Sequence, residues 1–195
     1  MTFPMAAPVP VTTEVSQLFA RALDERGITW APKQLVTSLD VGAHEARLAS
    51  GESVSYDLFV GVPVHRVPEV VARSGLAVDG WVPVDRTNLA TRFPDVYALG
   101  DVAGLPMAKA GVFAEAAARV VADDIAARIT GGDPPPPYEG IGNCYVEFGG
   151  GIVGKVEANF LGGPEPTARL VEPSREIAAE KSAFGPARRE RWFGS

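Results

Sequence analysis

Few residues in this chain are of types that could do chemistry, and each is judged by its spacing. Cys144 is the one cysteine. A thiolate is a nucleophile that can carry sulfur or electrons. One cysteine, however, forbids an intramolecular disulfide and any multi-cysteine metal site, and taken alone it reads equally well as a small buried hydrophobe. His44 and His65 leave little for a zinc centre, so metal chemistry is not expected. The run from Gly149 to Lys155 satisfies G-x-G-x-x-G and G-x-x-x-x-G-K together, two phosphate-binding patterns. Both fail on context. Val156 stands where a P-loop places Ser or Thr for Mg²⁺, and Gly162-Gly163-Pro164 follows where both patterns need a helix. That run reads as a glycine-rich β-turn. Asp101 ends an apolar stretch, and Lys109-Ala110-Gly111 opens the alanine-rich one after it. By themselves these read as a turn-capping carboxylate and a solvated lysine.

The elements that must position these residues come from a chain of 195 residues, 46% hydrophobic and 22% charged, which is ordinary globular usage. Its 18 Lys+Arg against 24 Asp+Glu give a formal charge of -6, which repels a phosphate backbone, so nucleic acid is not an expected partner. No apolar run approaches the roughly 18 residues of a membrane span. Residues 1–10 lack the basic flank of a signal peptide, and a soluble cytoplasmic protein is the expectation.

Val15, Leu18, Phe19, Ala22 and Leu23 keep helical spacing and predict an amphipathic helix that stops near Gly27. Short β-rich runs then predict a small meander followed by one buried strand over residues 56–60. Next come a helical piece at residues 67–75, a hairpin at Gly80-Trp81, a strand over residues 95–101 and a long helix over residues 110–129, closed by Gly131-Gly132. Pro134 to Pro137 lack amide donors and form a linker. Residues 143–148 and 155–161 alternate as a hairpin, and residues 174–193 carry a helix with a basic, aromatic end. The composition shifts divide the chain into residues 1–65, 66–132 and 133–195.

The segment Thr91-Arg92-Phe93-Pro94-Asp95-Val96-Tyr97-Ala98-Leu99-Gly100-Asp101 resembles the T-x-x-P-x-(V/I)-Y-A-x-G-D signature of the pyridine nucleotide-disulfide oxidoreductase superfamily, flavoproteins with two dinucleotide-binding domains. The resemblance implies that Asp101 accepts a hydrogen bond from a ribityl hydroxyl of FAD and that Gly100 lets the backbone approach it. Lys109, Ala110 and Gly111 are similar to the helix start of the sulfide:quinone oxidoreductase and flavocytochrome sulfide dehydrogenase group. There, amides and a lysine would face the negative charge that gathers on reduced flavin. Residues 56–68 resemble the strand and crossover returning from the NAD-binding to the FAD-binding domain, which implies that Gly61 and Pro63 lie near the cofactor. Cys144 matches the place where sulfide-oxidising members carry the second cysteine of a redox pair, implying a catalytic thiol beside the flavin. Residues 188–193 resemble the tail with which the sulfide:quinone group touches membranes.

The fold class implied is α/β: part of the two-dinucleotide-binding-domain flavoprotein fold, with a C-terminal β-hairpin and helical cap. Residues 1–65 would be a remnant of the NAD(P)-binding domain, residues 66–132 the C-terminal part of the FAD-binding domain, and residues 133–195 a cap or dimerisation region. The glycine fingerprint for the FAD pyrophosphate has no credible counterpart in this sequence, so retention of FAD by this chain alone is expected to be weak. Two functions stand side by side. One is the C-terminal portion of a sulfide:quinone or NADH:quinone type oxidoreductase, inactive without a companion chain. The other is a catalytically silent remnant that serves as an interaction or oligomerisation module. Expected partners are that companion, a second copy, a quinone or sulfur substrate, and a membrane surface met peripherally.

Overall fold

The computed structural model describes residues 1–6 and 12–194. It divides into two compact units, Met1–Val64 and His65–Ser195.

The first unit opens with helix α1, Thr13–Asp24. Thr12 caps it: its hydroxyl oxygen accepts from the Val15 amide at 3.3 Å. Gly27 ends it, with φ +63° and the Ile28 amide reaching back to the Leu23 carbonyl, as helix termini with a left-handed glycine do. Strands β1 (Val36–Asp40), β2 (Glu45–Leu48) and β3 (Ser53–Ser55) form an antiparallel meander in sequence order. Ala46 and Leu48 point from β2 into the core. Helix and meander agree with the sequence, but the buried strand over residues 56–60 does not form. Those residues follow β3 with no ladder, and Leu58 and Val60 are exposed. A run apolar on both faces becomes a strand when strands flank it and layers cover it. Among the described residues nothing does so.

The second unit begins with the short helix α2, Glu69–Arg73. Its centre is helix α3, Gly111–Thr130, ended by Gly131 at φ +72°. Phe113, Ala117 and Val121 are buried on one face of α3, with Leu89, Ala103, Leu105 and Tyr138 also in the core. The strand expected over residues 95–101 is reduced to a single bridge between Ala90 and Tyr97, followed by a 3₁₀ turn, Gly100–Val102. Gly100 takes φ +69°, which turns the chain out of an extended path.

Strands β4 (Ile141–Gly149), β5 (Ile152–Asn159) and β6 (Thr167–Ser174) make an antiparallel sheet in that order. Gly149, Gly150 and Gly151, all at positive φ, turn β4 into β5, so the phosphate-like pattern is a hairpin. Helix α4, Arg175–Phe193, starts on Ser174, whose hydroxyl oxygen accepts from the Ile177 amide at 3.2 Å. It is fastened to the sheet by Glu180, which accepts from Tyr145 Oη at 2.7 Å and from Lys155 Nζ at 3.0 Å. Among the described residues no helix is long and apolar enough to cross a membrane.

Candidate functional site

The second unit has a small cleft, about 20 Å³ in volume, where the 3₁₀ turn meets the start of α3. Its floor is set by backbone bonds: the Val82 amide donates to the Val102 carbonyl at 2.9 Å, and the Gly104 amide donates to the Val82 carbonyl at 2.8 Å. A Cβ on Gly104 would come 3.2 Å from the Val82 carbonyl oxygen, so glycine lets these strands of chain close up. Gly100, Asp101, Lys109 and Ala110 all line the cleft, with Leu99 and Ala114 beside them. Gly111 is the first residue of α3.

Ala110 occupies the N-cap in extended backbone and offers no side-chain acceptor. The Phe113 and Ala114 amides turn back to its carbonyl, at 3.0 and 3.2 Å, while those of Gly111 and Val112 find no partner among the described residues. A 20-residue helix therefore ends at the cleft with free donors and the positive end of its dipole. Such an end favours an electron-rich group. The Lys109 ammonium donates to the Ala103 carbonyl at 2.5 Å and stands 3.4 Å from that of Leu105. It also lies over the Trp81 ring at 4.7 Å. Burial pushes Lys109 below the usual lysine range, and the charge of Asp101 partly restores it. The lysine thus holds the loop of residues 103–105 in place as well as charging the cleft.

Tyr138, Asp124 and Arg128, which sequence reasoning missed, complete the surroundings. Tyr138 is buried in the cleft wall and donates to the Phe113 carbonyl at 3.1 Å; burial pushes its phenol up to about 12. Tyr97 donates to Asp124 Oδ2 at 2.6 Å, and Arg128 Nε donates to the same oxygen at 2.9 Å. This brace ties the segment ending at Asp101 to the far half of α3. A buried Asp124 within an alanine-rich helix was the one available signal. Tyr138 follows a proline run and gave none.

Cys144 sits on β4 opposite Val156 of β5, half-buried, and does not line the cleft. Burial pushes its thiol up, away from the thiolate that a nucleophile requires. Gly61 and Pro63 belong to the first unit, in exposed chain.

Three similarities bear on this arrangement. The chain is 32% identical over 158 residues to the mitochondrial sulfide:quinone oxidoreductase of Schizosaccharomyces pombe, covering 72% of this chain and 34% of that enzyme. The crystal structure of the sulfide:quinone oxidoreductase from Aquifex aeolicus superposes with a TM-score of 0.75 at 20% identity, covering 94% of this chain and 48% of that one. An FAD-dependent pyridine nucleotide-disulphide oxidoreductase from Desulfovibrio vulgaris superposes at 0.56 and 19% identity, covering 81% and 42%. The chain thus spans about a third to a half of the length of the proteins it matches. The model of one family, pyridine nucleotide-disulphide oxidoreductase, matches residues 5–119, more than half of the sequence and the whole stretch that builds the cleft floor. By that match, the chain belongs to the pyridine nucleotide-disulphide oxidoreductase family.

Proposed function

We propose that this chain supplies the flavin-facing C-terminal portion of an FAD-dependent oxidoreductase of the sulfide:quinone type, and that turnover requires the rest of the family's fold. The observation that carries this reading is the meeting of Asp101, Lys109 and the uncapped start of α3 in one cleft. Members of this family use FAD, and the residues present fit one end of it. Asp101 is an acceptor for a sugar-alcohol hydroxyl, and Gly100 leaves its side of the turn bare. The uncapped start of α3 and the charge of Lys109, which lines the cleft with Ala110, suit a ring edge that becomes electron-rich. FAD, when bound, accepts an electron pair and passes it on.

The ADP portion finds no such match. Among the described residues, the run with the dinucleotide glycine pattern is the β4–β5 hairpin, and no helix starts there. The part of the cofactor this chain can grip is therefore its ring and ribityl chain. A sulfur-transferring role for Cys144 would need a cationic neighbour to lower its raised pKa, supplied from outside this chain.

Titration of the purified chain with FAD and with riboflavin, followed by flavin fluorescence, tests the reading. Both ligands should bind weakly and about equally, since riboflavin keeps the gripped end and lacks the other. Asp101→Asn should weaken both about tenfold, the loss of one charge-assisted hydrogen bond at about 1.5 kcal/mol. FAD binding much tighter than that of riboflavin and indifferent to Asp101→Asn would overturn it.

A further inference from the structure

Helices α3 and α4 meet at one carboxylate. Glu115 of α3 accepts from Arg188 Nε at 2.9 Å on one oxygen and from the Arg191 guanidinium on the other, and Arg119 brings a third guanidinium to 3.8 Å. Three cations thus converge on one anion, which leaves two positive charges in surplus. Neighbouring charges do not remove it. The exposed Arg189 and Glu190 offset each other, and Asp123, one turn beyond Arg119, makes no ion pair with it among the described residues. Like charges gathered this closely repel, and they stand out in a chain whose formal charge is -6. Each guanidinium carries a planar fork of N–H donors. Glu115 takes one from Arg188 and one from Arg191, and the others meet no acceptor among the described residues. Arg188 also lies over the Phe184 ring at 3.5 Å, which holds its plane and leaves its edge for a further acceptor.

We infer that Arg119, Arg188 and Arg191 form a binding site for a doubly charged phosphate group, a phosphate monoester or a pyrophosphate, seated beside Glu115 between α3 and α4. Two negative charges match the surplus, and the guanidinium fork matches the spacing of phosphate oxygens. Glu115 gathers the arginines when no ligand is there, and its own charge weakens the ligand's hold. The phosphodiesters of a membrane surface fit less well: each carries one charge, and Arg188, 27% exposed, is turned onto α3 rather than outward. The inference goes beyond the flavin reading, and its test contains no flavin.

The probe is inorganic pyrophosphate, titrated into the full chain by calorimetry without divalent metal at about 0.15 M salt. Amide exchange over α3 and over residues 188–193 is followed by mass spectrometry. Pyrophosphate should bind with a Kd of about 1 mM or tighter and slow exchange over residues 188–193. Arg119→Gln and Arg191→Gln should each weaken it at least about fivefold. Arg189→Gln removes the same charge without facing Glu115 and should change the Kd by less than about twofold. Glu115→Gln removes a negative charge from the site and should tighten binding by about twofold or more, a direction that loss of a merely structural contact would not give. Unchanged α3 amides in each variant show that the fold is intact. Absence of pyrophosphate binding overturns the inference, as does equal weakening by Arg189→Gln or weakening by Glu115→Gln. So does attachment to phosphatidylcholine vesicles containing phosphatidylglycerol by a chain that ignores pyrophosphate.

Discussion

Tyr138 closes the back of the cleft with its ring and keeps its hydroxyl dry, bonded to the Phe113 carbonyl. Burial raises its pKa from the ordinary value of 10.0 to about 12. In the unfolded chain the phenol ionises first, so the folded state holds the proton longer. The stabilisation is fully present below pH 10 and is lost as pH rises toward 12. Two units correspond to about 2–3 kcal/mol. Urea unfolding at pH 9.5 and pH 11.5 should show a loss of roughly that size, and Tyr138→Phe should shrink it relative to the parent. An unchanged slope in the variant would mean that other phenols carry it. Asp101 and Lys109 were legible because a signature of eleven positions surrounds the first and a lysine-glycine helix start marks the second. Tyr138 lies outside any such pattern, and only packing brings it to the cleft.

At the scale of elements, α4 is fastened to α3 as well as to the sheet. Glu115, one turn into α3, accepts from Arg188 Nε at 2.9 Å and from the Arg191 guanidinium. Burial pushes the Glu115 carboxyl up, but the two guanidiniums outweigh this and hold it below the usual carboxylate range. A depressed carboxylate stabilises the folded state above its ordinary pKa of 4.5, and that contribution fades as pH falls below it. Glu115→Gln should speed amide exchange over residues 188–193 about fivefold at low salt, equivalent to about 1 kcal/mol. In 1 M NaCl the difference should narrow, because ions screen the parent's pairs. Equal exchange in both proteins at low salt would show that apolar contacts alone hold the end of α4. Helices α1 and α3 were readable from spacing and the glycines that end them, and α4 as a helical stretch within residues 174–193. Strand β6 was not, since its Pro173 and mixed alternation hide a strand that β5 pairs with all the same.

At the scale of the molecule, the two units carry unequal cores. Val15, Ala46 and Leu48 are the buried apolar residues described for Met1–Val64, whereas α3 alone buries Phe113, Ala117 and Val121 in the other unit. Apolar burial is the main stabilising term, so the first unit should open at lower cost. Native-state exchange in increasing urea should release the α1 amides before those of α3, by at least about 2 kcal/mol. Simultaneous release would show that the chain unfolds as one cooperative body.

The sequence by itself determined the family, the α/β class, the long helices, and the signature that ends at Asp101. Each of these is written locally, in spacing, glycine placement or a contiguous signature. What only the tertiary structure decided was non-local: that Lys109 is held by the carbonyls of Ala103 and Leu105, that Cys144 lies on a sheet away from the cleft, and that residues 56–60 stay unpaired. A strand exists only in the company of its neighbours. The same apolar run is core or surface depending on a sheet edge that its own residues do not encode.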